Sequence, residues 1–218
     1  MEVIFMDNES YYTKGEEIAN AVTHGIGALL AIAALILLIV FSSLYGDSWY
    51  IVSYTIFGVS LVILYSASTL YHSLPGRKVK DIFQIFDHSS IYILIAGTYT
   101  PFTLTVLRGP KGWIIFGLIW GLAVIGIVMK AFWVKKYVGF STAVYIFMGW
   151  LIVFDLKPIL IAMPHTGIVL LVLGGILYTL GAVLFMFDNI PYNHAVWHLF
   201  VLAGSTCHFF SMLYLLPR

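Results

Sequence analysis

Seven stretches of the chain contain no Asp, Glu, Lys or Arg: 18–46, 48–76, 88–107, 112–129, 137–154, 158–187 and 189–217. Each holds 18 residues or more, and about 20 apolar residues at 1.5 Å rise cross a hydrocarbon core of roughly 30 Å. Leu, Ile, Val, Phe, Ala and Gly dominate them, as in Leu29–Val40 and Val169–Tyr178, and leave no polar stripe for water. A helix that is apolar all round is one whose outer face meets lipid. The pattern predicts an all-α polytopic membrane protein, a seven-transmembrane helix bundle. Residues 1–17 form a short acidic cytoplasmic N-terminal segment in this scheme, and 18–218 a single seven-helix domain. Glu2, Asp7, Glu9, Glu16 and Glu17 against Lys14 give that segment the wrong sign for a cleavable signal peptide. No repeat or long linker divides the remainder.

Composition narrows the class. Of 218 residues, 61% are hydrophobic and 10% charged, with a net charge of +1. Soluble domains carry roughly 45–50% apolar and ~25% charged residues, so a soluble globular fold is excluded, and so is disorder. No basic cluster is large enough to hold nucleic acid. The lone Cys207 rules out an intrachain disulfide framework and a multi-cysteine metal cluster.

Lys and Arg in the short loops set the orientation. Seven of them (Lys14, Arg77, Lys78, Lys80, Lys130, Lys135, Lys136) fall on the side of the N-terminus and four (Arg108, Lys111, Lys157, Arg218) on the other. The N-terminus is therefore expected in the cytoplasm and, after seven crossings, the C-terminus outside. Trp49, Trp113, Trp133 and Trp150 fall near expected span ends, where the membrane interface favours indoles.

This topology brings scattered polar residues to one depth. Ser68 and His72 close the second span, Asp87 lies in the first turns of the third, and His194 and His198 open the seventh. All would lie near the cytoplasmic face, although none of them entered the orientation count. His194 and His198, four apart on a helix, project from one face. With His72 they could give three nitrogens to one Zn²⁺ and leave a fourth position open for water, the pattern of a catalytic zinc site. Imidazole also suits Fe, Ni or Cu. Asp87 is costly at that depth unless paired, and it is assigned to the water on the metal or to orienting a ligand histidine. Ser68 shares the His72 face; it could reach the ligands or a substrate carbonyl, or bond back to its own helix. His24, His88, His165 and His208 are expected to be structural, with contact to the ligands possible only for His24. Asn193 is the expected N-cap of the last helix, and Pro101 an expected kink in the third.

The set Ser68-x3-His72, Asp87 and His194-x3-His198, with Ala96–Phe102 and Ser66–His72, resembles the hemolysin III family from about Glu16 onward. That family is the bacterial branch of the progestin and adiponectin receptor proteins, related to alkaline ceramidases. The resemblance implies seven helices with the N-terminus inside, in the bacterial plasma membrane. It also implies zinc on His72, His194 and His198, Asp87 acting through the metal's water, and Ser68 beside it. The expected activity is zinc-dependent hydrolysis of a lipid amide or ester at the cytoplasmic leaflet, the acyl chain lying between helices. The alternatives are a non-enzymatic membrane-homeostasis or receptor-like protein with a structural zinc, and a cytolytic protein. A retinal protein is set aside because no charge-free stretch offers a Schiff-base lysine. A haem cytochrome is set aside because His194 and His198 share a face.

Overall fold

The computed structural model describes residues 12–187 and 190–217. Glu2, Asp7, Glu9 and Arg218, used above for the acidic segment and the orientation count, lie outside the described residues. Among the described residues every regular element is helical: α1 (Lys14–Tyr45), α2 (Ser48–Ser73), α3 (Arg77–Pro101), α4 (Pro110–Trp133), α5 (Val138–Trp150), α6 (Leu156–Ala162), α7 (His165–Phe185) and α8 (Asn193–Leu215). Six helical segments are long and apolar enough to cross a membrane: α1, α2, α4, the run Val138–Ala162, α7 and α8. The helix α3 is not among them. It opens on Arg77, Lys78, Lys80 and Asp81 and buries Asp87, Ser89, Ser90, Thr98 and Thr100, so its length is adequate but its composition is that of an interior helix.

Local chemistry fixes the ends. The Thr13 hydroxyl accepts from the Glu16 amide at 3.3 Å while Glu16 Oε2 accepts from the Thr13 amide at 2.8 Å, a reciprocal cap. Helix α1 therefore starts at Lys14, not at residue 18, with Glu16 and Glu17 in the first turn, where the helix dipole favours negative charge. Asp47 caps α2 by accepting from the Trp49 and Tyr50 amides. Pro101, which has no N–H to donate, ends the regular part of α3, and the chain continues as a π-helical turn, Phe102–Val106.

Three expectations about boundaries are corrected. The fifth span does not end with its charge-free stretch at Phe154. The helix runs on through a 3-10 turn, Leu151–Asp155, into α6, and the chain turns at Met163–Pro164. Asp155 is tolerated there because its carboxylate meets Lys111 Nζ at 2.6 Å. Trp150 consequently lies in mid-helix and donates to Thr179 at 2.9 Å, away from any span end. Asn193 is not the cap of α8: Tyr192 is, in the left-handed conformation. The Asn193 amide instead donates to the Leu184 and Phe187 carbonyls at the end of α7. Lys130, counted above as a loop residue, lies inside α4 and is buried at 3% exposure. The absence of a lysine from the spans therefore fails as an argument.

The outer surface is apolar, with Leu29 and Phe154 at 71% and 86% exposure, while the interior is rich in hydroxyls. Tyr54 donates to the Met212 carbonyl and Tyr65 to Ser205, each at 2.7 Å, joining α2 to α8. Gly27 lets α1 approach this pair: a Cβ there would stand 2.5 Å from the Tyr65 ring. Gly27→Leu is therefore expected to cost about 1–3 kcal/mol, seen as a drop of several degrees in Tm in detergent. Gly117→Leu, whose Cβ would meet nothing within 4 Å, should leave Tm nearly unchanged.

Candidate metal centre

The end of α2 and the start of α8 meet at three histidines. His72 is 4% exposed, His194 6% and His198 0%. One potential ligand atom from each lies within 4.8 Å of the others, and His72 Nε2 stands 3.2 Å from His194 Nε2. The sequence expectation that residues 122 or more positions apart converge is met in the geometry.

Helix α1 supplies the outer contacts. Glu17 Oε2 accepts from His72 Nδ1 at 2.7 Å, and its Oε1 pairs with Lys80 Nζ at 2.6 Å. The Asn20 carbonyl faces His198 Nδ1 at 3.2 Å, with the Thr23 hydroxyl at 3.1 Å. Tyr12, just before α1, meets His194 Nδ1 at 3.0 Å. A carboxylate and a carbonyl can only accept, so the proton of His72 and of His198 sits on Nδ1. Their Nε2 lone pairs then point inward. His198 Nε2 is buried and has no hydrogen-bond partner among the described residues.

This arrangement fits a divalent cation. A buried lone pair without a donor is costly, and a cation shared with His72 and His194 would remove that cost for His198 Nε2. Ligand nitrogens on a tetrahedral zinc at ~2.0–2.1 Å sit about 3.3–3.4 Å from one another, close to the 3.2 Å between His72 Nε2 and His194 Nε2. The outer contacts are those that fix tautomer and raise ligand basicity in metal sites generally.

Ser68 is one helical turn before His72, and its hydroxyl lies beside the Asp87 carboxyl without completing a hydrogen bond to it. Asp87 Oδ2 is buried and, among the described residues, unpartnered as well. The Ser68 hydroxyl thus does not bond back to its own helix, the alternative open at the sequence level. His88, on α3, lines a cavity on the side of α5. His165 is exposed at the start of α7, and His208 Nε2 donates to the Leu171 carbonyl, 3.1 Å away.

His24 departs from its expected role as a satisfied structural residue. It is buried, its ring stacks on His198 at 3.4 Å between centroids and 11° between planes, and neither nitrogen has a hydrogen-bond partner among the described residues. It holds the His198 ring flat against α1. Glu17, Asn20, Thr23 and His24 were not picked out together from the sequence. Their signal was present as polar residues recurring every three or four positions at the start of an otherwise apolar helix.

A family model described as haemolysin-III related matches residues 12–209. The hemolysin-3 homolog of Bacillus subtilis (strain 168) is 52% identical over 93% of this chain and 95% of its own. Hemolysin-3 of Bacillus cereus is 53% identical over 93% of each. The human monocyte to macrophage differentiation factor is 30% identical over 90% of this chain and 83% of its own. No solved structure matches the chain. With its apolar helices and its buried histidine triad, the chain belongs to the haemolysin-III related family and is a multi-pass membrane protein.

Proposed function

We propose that the protein crosses the membrane seven times, holds zinc on His72, His194 and His198 near the cytoplasmic face, and hydrolyses a lipid amide or ester there. The observation that carries this is the meeting of three buried imidazoles at the end of α2 and the start of α8, with Ser68, one turn before His72, beside the buried Asp87 carboxyl, whose Oδ2 has no hydrogen-bond partner among the described residues.

The seventh crossing is α3. Its 25 residues extend about 37 Å. Asp81 near its start pairs with Lys135, beyond the end of α4, at 2.6 Å. Arg108, just past its end, pairs with Asp47 before α2 at 3.1 Å. The two ends of α3 thus meet opposite ends of its neighbours, as a spanning helix requires. The basic residues Arg77, Lys78, Lys80, Lys135 and Lys136 share the end that carries the triad, which supports a cytoplasmic triad and an external C-terminus.

Zinc bound to the three imidazoles would polarise the scissile carbonyl and make water nucleophilic near neutral pH. The chain's own residues do the rest. Asp87 Oδ2 takes the proton of the attacking water and passes it to the leaving amine or alcohol. Ser68 orients that carboxyl or the substrate carbonyl. Glu17, Asn20, Thr23 and Tyr12 keep the three rings aimed inward. Burial excludes bulk water and strengthens each of these interactions.

A second reading has one observation in its favour. The triad and its outer contacts join α1, α2 and α8, so a bound cation would also act as a staple with no turnover. The name of the Bacillus cereus relative describes a lytic protein. Applied to this chain, lysis would appear as dye release from liposomes by the purified protein.

Purified protein is expected to contain about one zinc per chain by elemental analysis, and His194→Ala/His198→Ala to contain almost none. Asp87→Ala should keep its zinc and lose about 10²–10⁴-fold in turnover on ceramide-like or phospholipid substrates. Equal turnover in both proteins would remove Asp87 from the chemistry, and a fall in Tm on chelation with no substrate consumed by the wild type would leave the staple. Glu17→Gln should weaken zinc binding by roughly 10–100-fold, measured by competition with a chelating dye. An alkaline phosphatase fusion after Leu216 should be active, and a green fluorescent protein fusion at the same place dark.

A further inference from the structure

The triad lies at the end of its two helices. His72 is the last residue but one of α2, and His194 is the second of α8. Neither helix extends far enough to cover the rings from the end of the bundle that the proposed orientation puts in the cytoplasm. The rings are buried all the same, with the His72 side chain at 0% exposure. Cover comes from the start of α1, which lies across this mouth.

Two contacts fasten it. The Tyr12 ring lies against both His72 and His194, at 5.6 and 4.8 Å between centroids, and its hydroxyl meets His194 Nδ1 at 3.0 Å. Glu16 ties the first turn of α1 to the chain just before α8. Its Oε1 accepts from the Tyr192 amide at 3.0 Å, while its Oε2 serves the cap at Thr13. The fit is close: a Cβ on Gly15 would stand 2.6 Å from the Tyr192 hydroxyl. Tyr192 itself is held at a φ of 58°, a left-handed conformation that a residue with a Cβ adopts only at a cost. The Glu16 fastening is exposed, and terminal turns held by exposed bonds open at little cost in free energy. Asn20 and His24, further along α1, are buried, so the body of the helix stays in place when its first turn moves.

We propose that the segment from Tyr12 to Glu16 is a strap over the mouth of the triad, and that its release sets how fast a cation passes between the triad and the cytoplasm. The three imidazoles fix how tightly the cation is held, and the strap fixes how quickly it comes and goes. Tyr12 shields the rings directly. Glu16 has no hydrogen bond to an imidazole among the described residues and acts only by holding the strap down. This role rests on the reading of the triad as a metal site, and one arm of the test is therefore free of metal.

In metal-free full-length protein in detergent, carbethoxylation by diethyl pyrocarbonate is followed by mass spectrometry, with the exposed His165 as internal standard. His72 and His194 are expected to react about ten-fold slower than His165 in the wild type, and Tyr12→Ala and Glu16→Ala to remove most of that difference. Glu16→Gln, whose amide oxygen can still accept from the Tyr192 amide, should behave as the wild type. In the second arm, zinc exchange is recorded by stopped-flow mixing with a chelating dye. Glu16→Ala should raise the association and dissociation rates by the same factor, about ten-fold, and leave Kd nearly unchanged. A rise in dissociation alone would make Glu16 a support of the ligands and overturns the strap, as do carbethoxylation rates equal in the wild type and both alanine variants. A wild type that takes up no zinc ends the metal reading and the exchange role with it. A wild type that takes up zinc, with rates that no variant changes, ends the strap alone. Thermal unfolding is recorded for each variant, and if one alanine variant does not fold, carbethoxylation of the other decides the matter.

Discussion

Inside a hydrocarbon slab a polar group has only the rest of the protein to bond with. Most of the interior obeys this constraint in the cheapest way. Thr98, Thr100, Thr103 and Thr105 return their hydroxyls to carbonyls of their own helix, through the disturbed end of α3 where Pro101 donates nothing. Tyr99 is used on both sides, donating to the Met148 carbonyl and accepting from the Ile152 amide, which holds the end of α5 in place. Against this background the exceptions stand out. Among the described residues, the unpartnered atoms of Asn20, His24, Ser68, Asp87 and His198 come from four helices at the triad's end of the bundle, and those of Ser89, Asp155 and His208 make up the rest. The clustering of the first five, more than any single residue, distinguishes a place prepared for something bound from a merely imperfect interior.

Much of this was legible in the sequence because charge is so scarce. Where 21 charged residues punctuate 218, the gaps between them trace helices, and helix order alone places His72, Asp87, His194 and His198 at one depth. The failures have the same origin. Treating every charge as a boundary works only if no charge is accommodated within a helix. Asp155 is, because Lys111 reaches it, so the turn was placed several residues early and Trp150 was moved to an interface it does not occupy. Lys130 is, through Ser141, and so was mistaken for a loop residue. Asn193 misled differently. Its cap propensity is real, but two α7 carbonyls at 2.6 and 2.9 Å offered its amide more than its own helix did.

The outer contacts of the triad were the least visible part. Glu17 belongs by composition to the acidic start of the chain, and only folding sets it between Lys80 and His72. Three-dimensional pairing converts a residue of an apparently solvated segment into the group that fixes a tautomer. His24 shows the converse: its position in a helix said little, and its meaning comes entirely from the ring stacked on it.

The donors of the triad also have an order in time. His72 leaves the ribosome with the second helix, but His194 and His198 come with α8, after every other described helix has been made. Until then Glu17 can pair with Lys80 and His72, holding half a site that cannot grip a cation with useful strength. A cation bound to all three imidazoles would thus report that α8 is in place, and a product stalled before α8 could not form the triad.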